Sequence, residues 1–161
     1  NNNFANYPYA LNEITIQRKD TTSLLNISCQ INDNYLTNYW SDGLIVSTPT
    51  GSTGYSLSNG GSIVSPESKV ILLNPIAPHN INMRSLVIPD NSNIKVNIEG
   101  ENDINLSIDS RMYSINSSSQ IEISKADFTI KTIKFDNDNF YKRLREKLFW
   151  GQDMRNKKSK N

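Results

Sequence analysis

Apolar residues recur at every second position over most of this chain, and that period decides what it can fold into. Ile14 and Ile16 alternate with polar neighbours, and Leu25, Ile27, Cys29 and Ile31 do so again. The pattern returns at Ile94-Val96-Ile98, Ile104-Leu106-Ile108, Ile121-Ile123 and Phe128-Ile130. A period of two belongs to strands with one buried face. Polar turns separate the runs at roughly ten-residue spacing, as in antiparallel two-layer or barrel-like sheets. The predicted class is all-β: a two-sheet, antiparallel, sandwich-like domain.

Other segments fit the same plan. The run 12–18 predicts a half-buried strand, and Lys19-Asp20-Thr21-Thr22 a turn. Tyr35 to Trp40 predicts a partner for the preceding strand, joined through Asn32-Asp33-Asn34, residues that tolerate left-handed backbone. Gly43 to Thr48 is apolar enough for a central strand. Val70 to Leu73 predicts a buried strand, with Asn74-Pro75-Ile76-Ala77-Pro78-His79 as a loop, and Leu86 to Pro89 a short strand. Only the end is clearly helical. Asp138 or Asn139 caps it, Phe140, Leu144 and Leu148 recur every four residues, Tyr141 and Phe149 widen the stripe, and Gly151 stops it. The tail from Arg155 is basic and reads as a solvated end.

One stretch departs from the strand pattern. From Asp42 to Gly61 the chain runs Asp-Gly-Leu-Ile-Val-Ser-Thr-Pro-Thr-Gly-Ser-Thr-Gly-Tyr-Ser-Leu-Ser-Asn-Gly-Gly. It is an apolar strand that breaks at Pro49, then passes Gly51 and Gly54 with only hydroxyl residues between them. Small residues let a backbone approach a ligand closely. Hydroxyls at Thr50, Ser52, Thr53 and Ser58 both donate and accept, and Tyr55 can stack or hydrogen-bond. This predicts a ligand-binding strand–turn–helix; the plain alternative is a Gly/Ser-rich connection and nothing more.

Several chemistries fail on this stretch. A phosphate-binding P-loop places Lys directly after its last Gly, where Tyr55 stands. A nucleophile elbow needs Gly-x-Ser-x-Gly, and Gly51-Ser52-Thr53-Gly54 has other spacing. His79, the single histidine, sits in a Pro-rich loop and reads as structural rather than as the base of a Ser52–His79–Asp42 triad. An RNA-binding Gly-x-x-Gly clamp sits between helices, and no Lys or Arg flanks this one. One Cys and one His do not make a zinc site.

The bulk properties narrow the partners. A net charge of +1 gives no argument for nucleic acid or for an anionic membrane surface. No apolar run approaches the roughly 18 residues of a membrane span. Asn1-Asn2-Asn3 opens nothing like a signal peptide. Cys29 alone excludes an internal disulfide framework and fits a reducing cytoplasm. At 161 residues the chain suits one domain, and the absence of an initiator Met hints at a fragment.

The Asp42–Ser58 run resembles the DG-STPTGSTAY-S motif of NAD kinases. Ala10-Leu11-Asn12-Glu13 is similar to the family's ALNE/ALND element, and Pro75-Ile76-Ala77-Pro78-His79 with Arg84-Ser85-Leu86-Val87 to its P-x-x-PH…RPLV segment. Asp109-Ser110-Arg111 stands where the family has Asp-Ser/Gly-Gln, and Leu144-Arg-Glu-Lys-Leu-Phe-Trp-Gly151 resembles the end of bacterial members. The resemblance implies an all-β C-terminal domain and an upstream α/β domain bearing Gly-Gly-Asp-Gly, whose Asp serves as base. No such motif occurs in this chain, so no catalytic residue is expected in it. The organisation implied is an arm over 1–11, a β domain over 12–135, the helix over 136–151 and the basic tail over 152–161.

The resemblance also implies roles at matching positions. Asn12 and Glu13 engage the adenosine end of NAD, while Thr53, Gly54, Tyr55 and Ser58 line the adenine and ribose pocket. Gly54 replaces the family's usual Ala, which widens the pocket slightly. Asp42 meets the nicotinamide carboxamide, often from a neighbouring subunit; Ala77 and Arg111 are further contacts. Arg111 departs from the common Gln and either reaches a ligand phosphate or pairs with a surface acid. The parent reaction is phosphoryl transfer from ATP or another donor to the adenosine-ribose 2′-hydroxyl, giving NADP, with Mg²⁺ or another divalent metal on the phosphates. The partners implied are NAD or NADP, ATP through the other domain, and a dimer or tetramer of like chains. Two other readings stand beside it: a lipid or sphingoid-base kinase-like domain, and a non-catalytic dinucleotide-binding or assembly module.

Overall fold

Where the sequence alternates, the chain forms strands, and these pair into two antiparallel sheets. The computed structural model describes residues 6–19, 23–99, 103–116, 118–133 and 139–151. In chain order the strands are β1 Glu13–Arg18, β2 Leu25–Ile31, β3 Asn34–Ser41, β4 Gly43–Ser47 and β5 Val70–Ile76. They continue as β6 Leu86–Pro89, β7 Ile94–Glu99, β8 Ile104–Ile108, β9 Arg111–Ile115 and β10 Gln120–Ile123. Six of them form a sheet in the order β6-β5-β4-β1-β8-β9, and four form a second in the order β10-β7-β2-β3. A 3-10 turn over Gly51–Thr53 and the short helix α1, Tyr55–Ser58, follow β4, while α2 spans Phe140–Lys147.

The chain divides into two units, Asn1–Asp127 with all these strands and Phe128–Asn161 with α2. In the first unit the facing sides of the two sheets make the core. Ile16, Leu44, Val46 and Leu73 come from one sheet and Ile27, Cys29, Ile94 and Val96 from the other. Each fully buried aliphatic side chain contributes about 1.5–3 kcal/mol. Burial pushes the Cys29 thiol up to about 11, so it packs as a small apolar group and is no nucleophile. All five residues of β4 are buried. Leu44 and Val46 face the second sheet, whereas Ile45 alternates to the opposite face. On that face the β5 residue Asn74 bonds to α1, so the segment after β4 roofs the sheet. The stretch after β4 is therefore built into the fold as a cover on its larger sheet.

Local chemistry accounts for the connections and for three departures from the sequence reading. Asn32 and Asp33 take φ of 51° and 62°, the left-handed pair that a tight β2–β3 hairpin requires. Strand β5 does not stop before Pro75 but runs through it, with Pro75 opposite Leu44. The missing N–H costs nothing there, because β6 pairs only with Val70 to Leu73. The Pro75 carbonyl on that open side instead accepts from Asn59 Nδ2 at 2.7 Å. Strand β9 was not expected, because its outward Met112 is 71% exposed and masks the alternation of an edge strand. Phe128 and Ile130, expected in a strand, are in none and are 47% and 61% exposed. Alternation marks a face that can be buried, but no sheet edge takes this one.

In the second unit Asn139 Oδ1 accepts from the Lys142 N–H at 2.8 Å and caps α2. The other proposed cap, Asp138, lies outside the described residues, as do the basic tail and most of the 19–22 turn. The helix ends before Gly151: the Leu148 and Trp150 N–H groups both donate to the Leu144 carbonyl, and Phe149 turns left-handed at φ 53°. Arg145 and Lys147 in the last turn suit the negative end of the helix dipole. No residue of α2 is buried. Among the described residues no helix is long and apolar enough to cross a membrane.

Candidate functional site

Strands β1 and β4 pair with Glu13 opposite Ser47, so the chain entering β1 meets the chain leaving β4. There the Thr48 N–H donates to the Asn12 carbonyl at 2.8 Å. The Thr48 hydroxyl donates to the Leu11 carbonyl at 2.7 Å and accepts from the Gly51 N–H at 3.1 Å. Gly51 lies so close that a Cβ would stand 2.1 Å from Asn12 O and 2.5 Å from Asn12 C. The glycine of the motif thus serves a backbone-on-backbone crossing between the two predicted binding elements.

The rest of the stretch is held by buried polar side chains. Ser52 is fully buried; its hydroxyl donates to the Pro49 carbonyl at 2.6 Å and accepts from the Val64 N–H at 3.0 Å. Asn74, 3% exposed, donates from Nδ2 to the Ser56 carbonyl at 3.0 Å. Ser52→Ala leaves the Val64 N–H without its acceptor and is expected to lower stability by about 1–3 kcal/mol. A urea melt checks this through its midpoint.

Across β1 lies the β8–β9 turn. Asp109 occupies it at φ 50°, and its N–H donates to the Glu13 carbonyl at 2.9 Å. Its carboxylate accepts from three consecutive N–H groups: Leu11 at 2.9 Å, Asn12 at 2.8 Å and Glu13 at 3.2 Å. Residues 11–13 are thereby gripped from both sides. The Glu13 side chain is left differently. Its Oε2 is buried and accepts no hydrogen bond, and a Cβ on Gly54 would stand 3.2 Å from it. Burial first, and the neighbouring Asp109 charge second, raise the Glu13 pKa above the ordinary carboxylate value. A buried acceptor with no donor is a group that a hydroxyl-bearing ligand satisfies.

The structure brings most of the expected site residues together. Asn12, Glu13, Thr53 and Gly54 converge at this crossing, with Thr53 Oγ1 donating to the Thr50 carbonyl at 3.3 Å. Tyr55 and Ser58 follow on α1 with exposed side chains. Arg111 belongs to the same end of the sheet, but its guanidinium donates to the Tyr7 carbonyl at 2.8 Å and to the Tyr9 carbonyl. Asp42 and Ala77 stand apart. Asp42 precedes β4 at its far end, about 17 Å along the strand from Ser47. It pairs with Arg18 at 3.0 Å, and its N–H donates to the Ile76 carbonyl, next to Ala77 at φ 43°. Sequence reasoning left out the roles of Asp109, Ser52 and Asn74. Asp109 was in a quoted motif, but its contacts are to backbone N–H groups up to 98 positions away.

Comparison with known proteins decides what this arrangement belongs to. The model of the ATP-NAD kinase C-terminal domain matches residues 11–135. The chain belongs to the ATP-NAD kinase C-terminal domain family. An NAD kinase of Flavobacterium johnsoniae is 48% identical over 157 residues, covering 97% of this chain and 53% of the relative. An NAD kinase of Flavobacterium psychrophilum is 51% identical over 149 residues, covering 92% and 51%. The yeast NADH kinase crystallised with NADH superposes with a TM-score of 0.82 at 31% identity, over 92% of this chain and 46% of that one. The chain spans about half the length of these NAD kinase relatives. Over the superposed part, the yeast structure shares the two-sheet fold described above.

Proposed function

We propose that this chain is the acceptor-binding part of an NAD kinase, the enzyme that phosphorylates the adenosine-ribose 2′-hydroxyl of NAD to give NADP. The observation that carries the reading is Glu13 Oε2, a buried carboxylate oxygen without a donor, at the crossing that the NAD kinase motif closes. Ribose hydroxyls are the donors that fit it. Asn12 orients the adenosine end beside it, while Thr53, Gly54, Tyr55 and Ser58 border the adenine and ribose. The yeast relative bound to NADH supports a nucleotide rather than a lipid acceptor, and an NAD kinase of Archaeoglobus fulgidus bound to ATP, at TM-score 0.67 and 29% identity, fits ATP as the donor.

The chain positions the acceptor, and phosphate activation is assigned elsewhere. It contains no Gly-Gly-Asp-Gly sequence to supply the expected base. Among the described residues no group of three or more His, Cys, Asp or Glu is placed to hold a metal ion. Asp109, the acid nearest Glu13, has its carboxylate committed to three backbone N–H groups. We assign a divalent metal and ATP to the phosphate-handling part that the family resemblance implies. Asp42 and Ala77, a strand's length from Glu13, serve an acceptor site of a second copy, which requires at least a dimer. The buried free thiol of Cys29 agrees with a cytoplasmic enzyme.

Calorimetric titration with NAD tests the reading. Wild-type chain is expected to release heat on binding NAD, and no NADP is expected from the chain alone with ATP and Mg²⁺. Silence at millimolar NAD overturns the binding claim, and a robust NADP rate overturns the division of labour.

A further inference from the structure

The β8–β9 turn carries two opposite charges, two residues apart, and both are used on one stretch of backbone. Asp109 takes the N–H groups of Leu11, Asn12 and Glu13. Arg111 gives hydrogen bonds to the carbonyls of Tyr7 and Tyr9 and lies over the Tyr7 ring with its guanidinium carbon 4.5 Å from the centroid. Tyr7 in turn meets Tyr9 edge-on, with centroids 5.6 Å apart. An acid thus reads backbone donors and a base reads backbone acceptors along residues 7–13. The turn itself is anchored: Ser107 Oγ donates to the Asp109 carbonyl at 2.6 Å, and the Asp109 N–H returns to Glu13.

We propose that Asp109 and Arg111 form a backbone clamp that fixes the segment leading into Glu13, which makes Arg111 a positioning residue rather than a ligand contact. Two carbonyls and one ring face already occupy its planar fork and its π-face, the geometry for which arginine is suited and lysine is not. The clamp acts on ligand through Asn12 and Glu13, whose backbone it holds while leaving Glu13 Oε2 without a partner. The clamp stands on the geometry alone; its effect on NAD affinity rests on the acceptor-binding reading.

Lysine separates the two roles of Arg111. A phosphate contact survives Arg111→Lys, because the charge remains. A clamp on two carbonyls and a ring does not. In the full chain, chymotrypsin reports on the arm directly: the Tyr7–Pro8 bond resists it, and the cut falls after Tyr9. Arg111→Lys and Arg111→Gln are both expected to speed that cut about tenfold and to weaken NAD about tenfold. Tyr7→Leu, on the exposed arm where folding is not at stake, is expected to speed the cut by a smaller factor. Asp109→Asn is expected to accelerate amide exchange at residues 11–13 about tenfold. Arg111→Lys matching wild type in both cleavage and affinity overturns the proposal. So does faster cleavage with unchanged NAD affinity. If wild-type chain binds no NAD, the acceptor reading fails by itself, and cleavage and exchange still decide the clamp.

Discussion

Gly51→Ala is expected to be the most damaging single methyl in this chain, lowering stability by about 3 kcal/mol or more. The added Cβ would stand 2.1 Å from Asn12 O, 2.5 Å from Asn12 C and 2.8 Å from Asn12 Cα. All three are backbone atoms of a residue fixed by Thr48 on one side and Asp109 on the other. No side chain can swing away, so the crossing itself has to open. Opening it breaks the Thr48–Asn12 and Thr48–Leu11 hydrogen bonds and carries Glu13 away from Gly54. A thermal melt is expected to show a midpoint lower by roughly 6–12 °C, with NAD binding lost in the fraction that still folds. Gly60→Ala is the control. That glycine has φ 78° and nothing within 4 Å of a Cβ, so the change costs only conformational strain, about 1 kcal/mol. Equal effects of the two substitutions would show that the loop does not depend on the crossing.

The comparison of these two glycines shows what could be read from the residues alone. The two-residue period placed the β1, β2, β7 and β8 strands, because each has one face against the opposite sheet. It failed for β9, whose outward side carries Met112, and for Phe128–Ile130, where alternation finds no sheet edge. Pro75 misled because a proline usually ends a central strand, and only the topology shows that β6 stops short of it. In the site, the motif singled out the loop and pointed to the family that the comparison shows. It did not show that Gly51 serves a chain crossing rather than ligand approach. Nor did it show that Asp109 and Arg111 spend their charges on residues 7–13. Those facts depend on partners about a hundred positions away, brought adjacent by the β1–β8 pairing. Asp42, expected to act often from a neighbouring subunit, lies at the opposite end of β4 from the residues paired with Glu13.

Glu13→Gln is expected to separate stability from function in opposite directions. Burial and the Asp109 charge both disfavour the ionised Glu13 side chain, raising its pKa above the unfolded value of 4.5. The folded chain therefore holds the Glu13 proton more tightly than the unfolded chain does. Its contribution to stability is greatest below the unfolded pKa, falls as pH rises through the raised folded value, and stays lost above it. A neutral glutamine removes that penalty, so the variant is expected to melt higher than wild type at pH 7 and alike below the unfolded pKa. Ligand binding runs the other way. A carboxylate accepting from hydroxyls is worth about 1.5–3 kcal/mol, so NAD affinity is expected to fall roughly 10- to 150-fold. Wild-type affinity should also weaken as acid protonates Glu13, while the variant stays flat over the same window. Melts without ligand and titrations with NAD, both run across pH, check the two halves separately. A variant that melts lower yet binds NAD as tightly as wild type would make Glu13 a structural acid and leave the pocket without its acceptor.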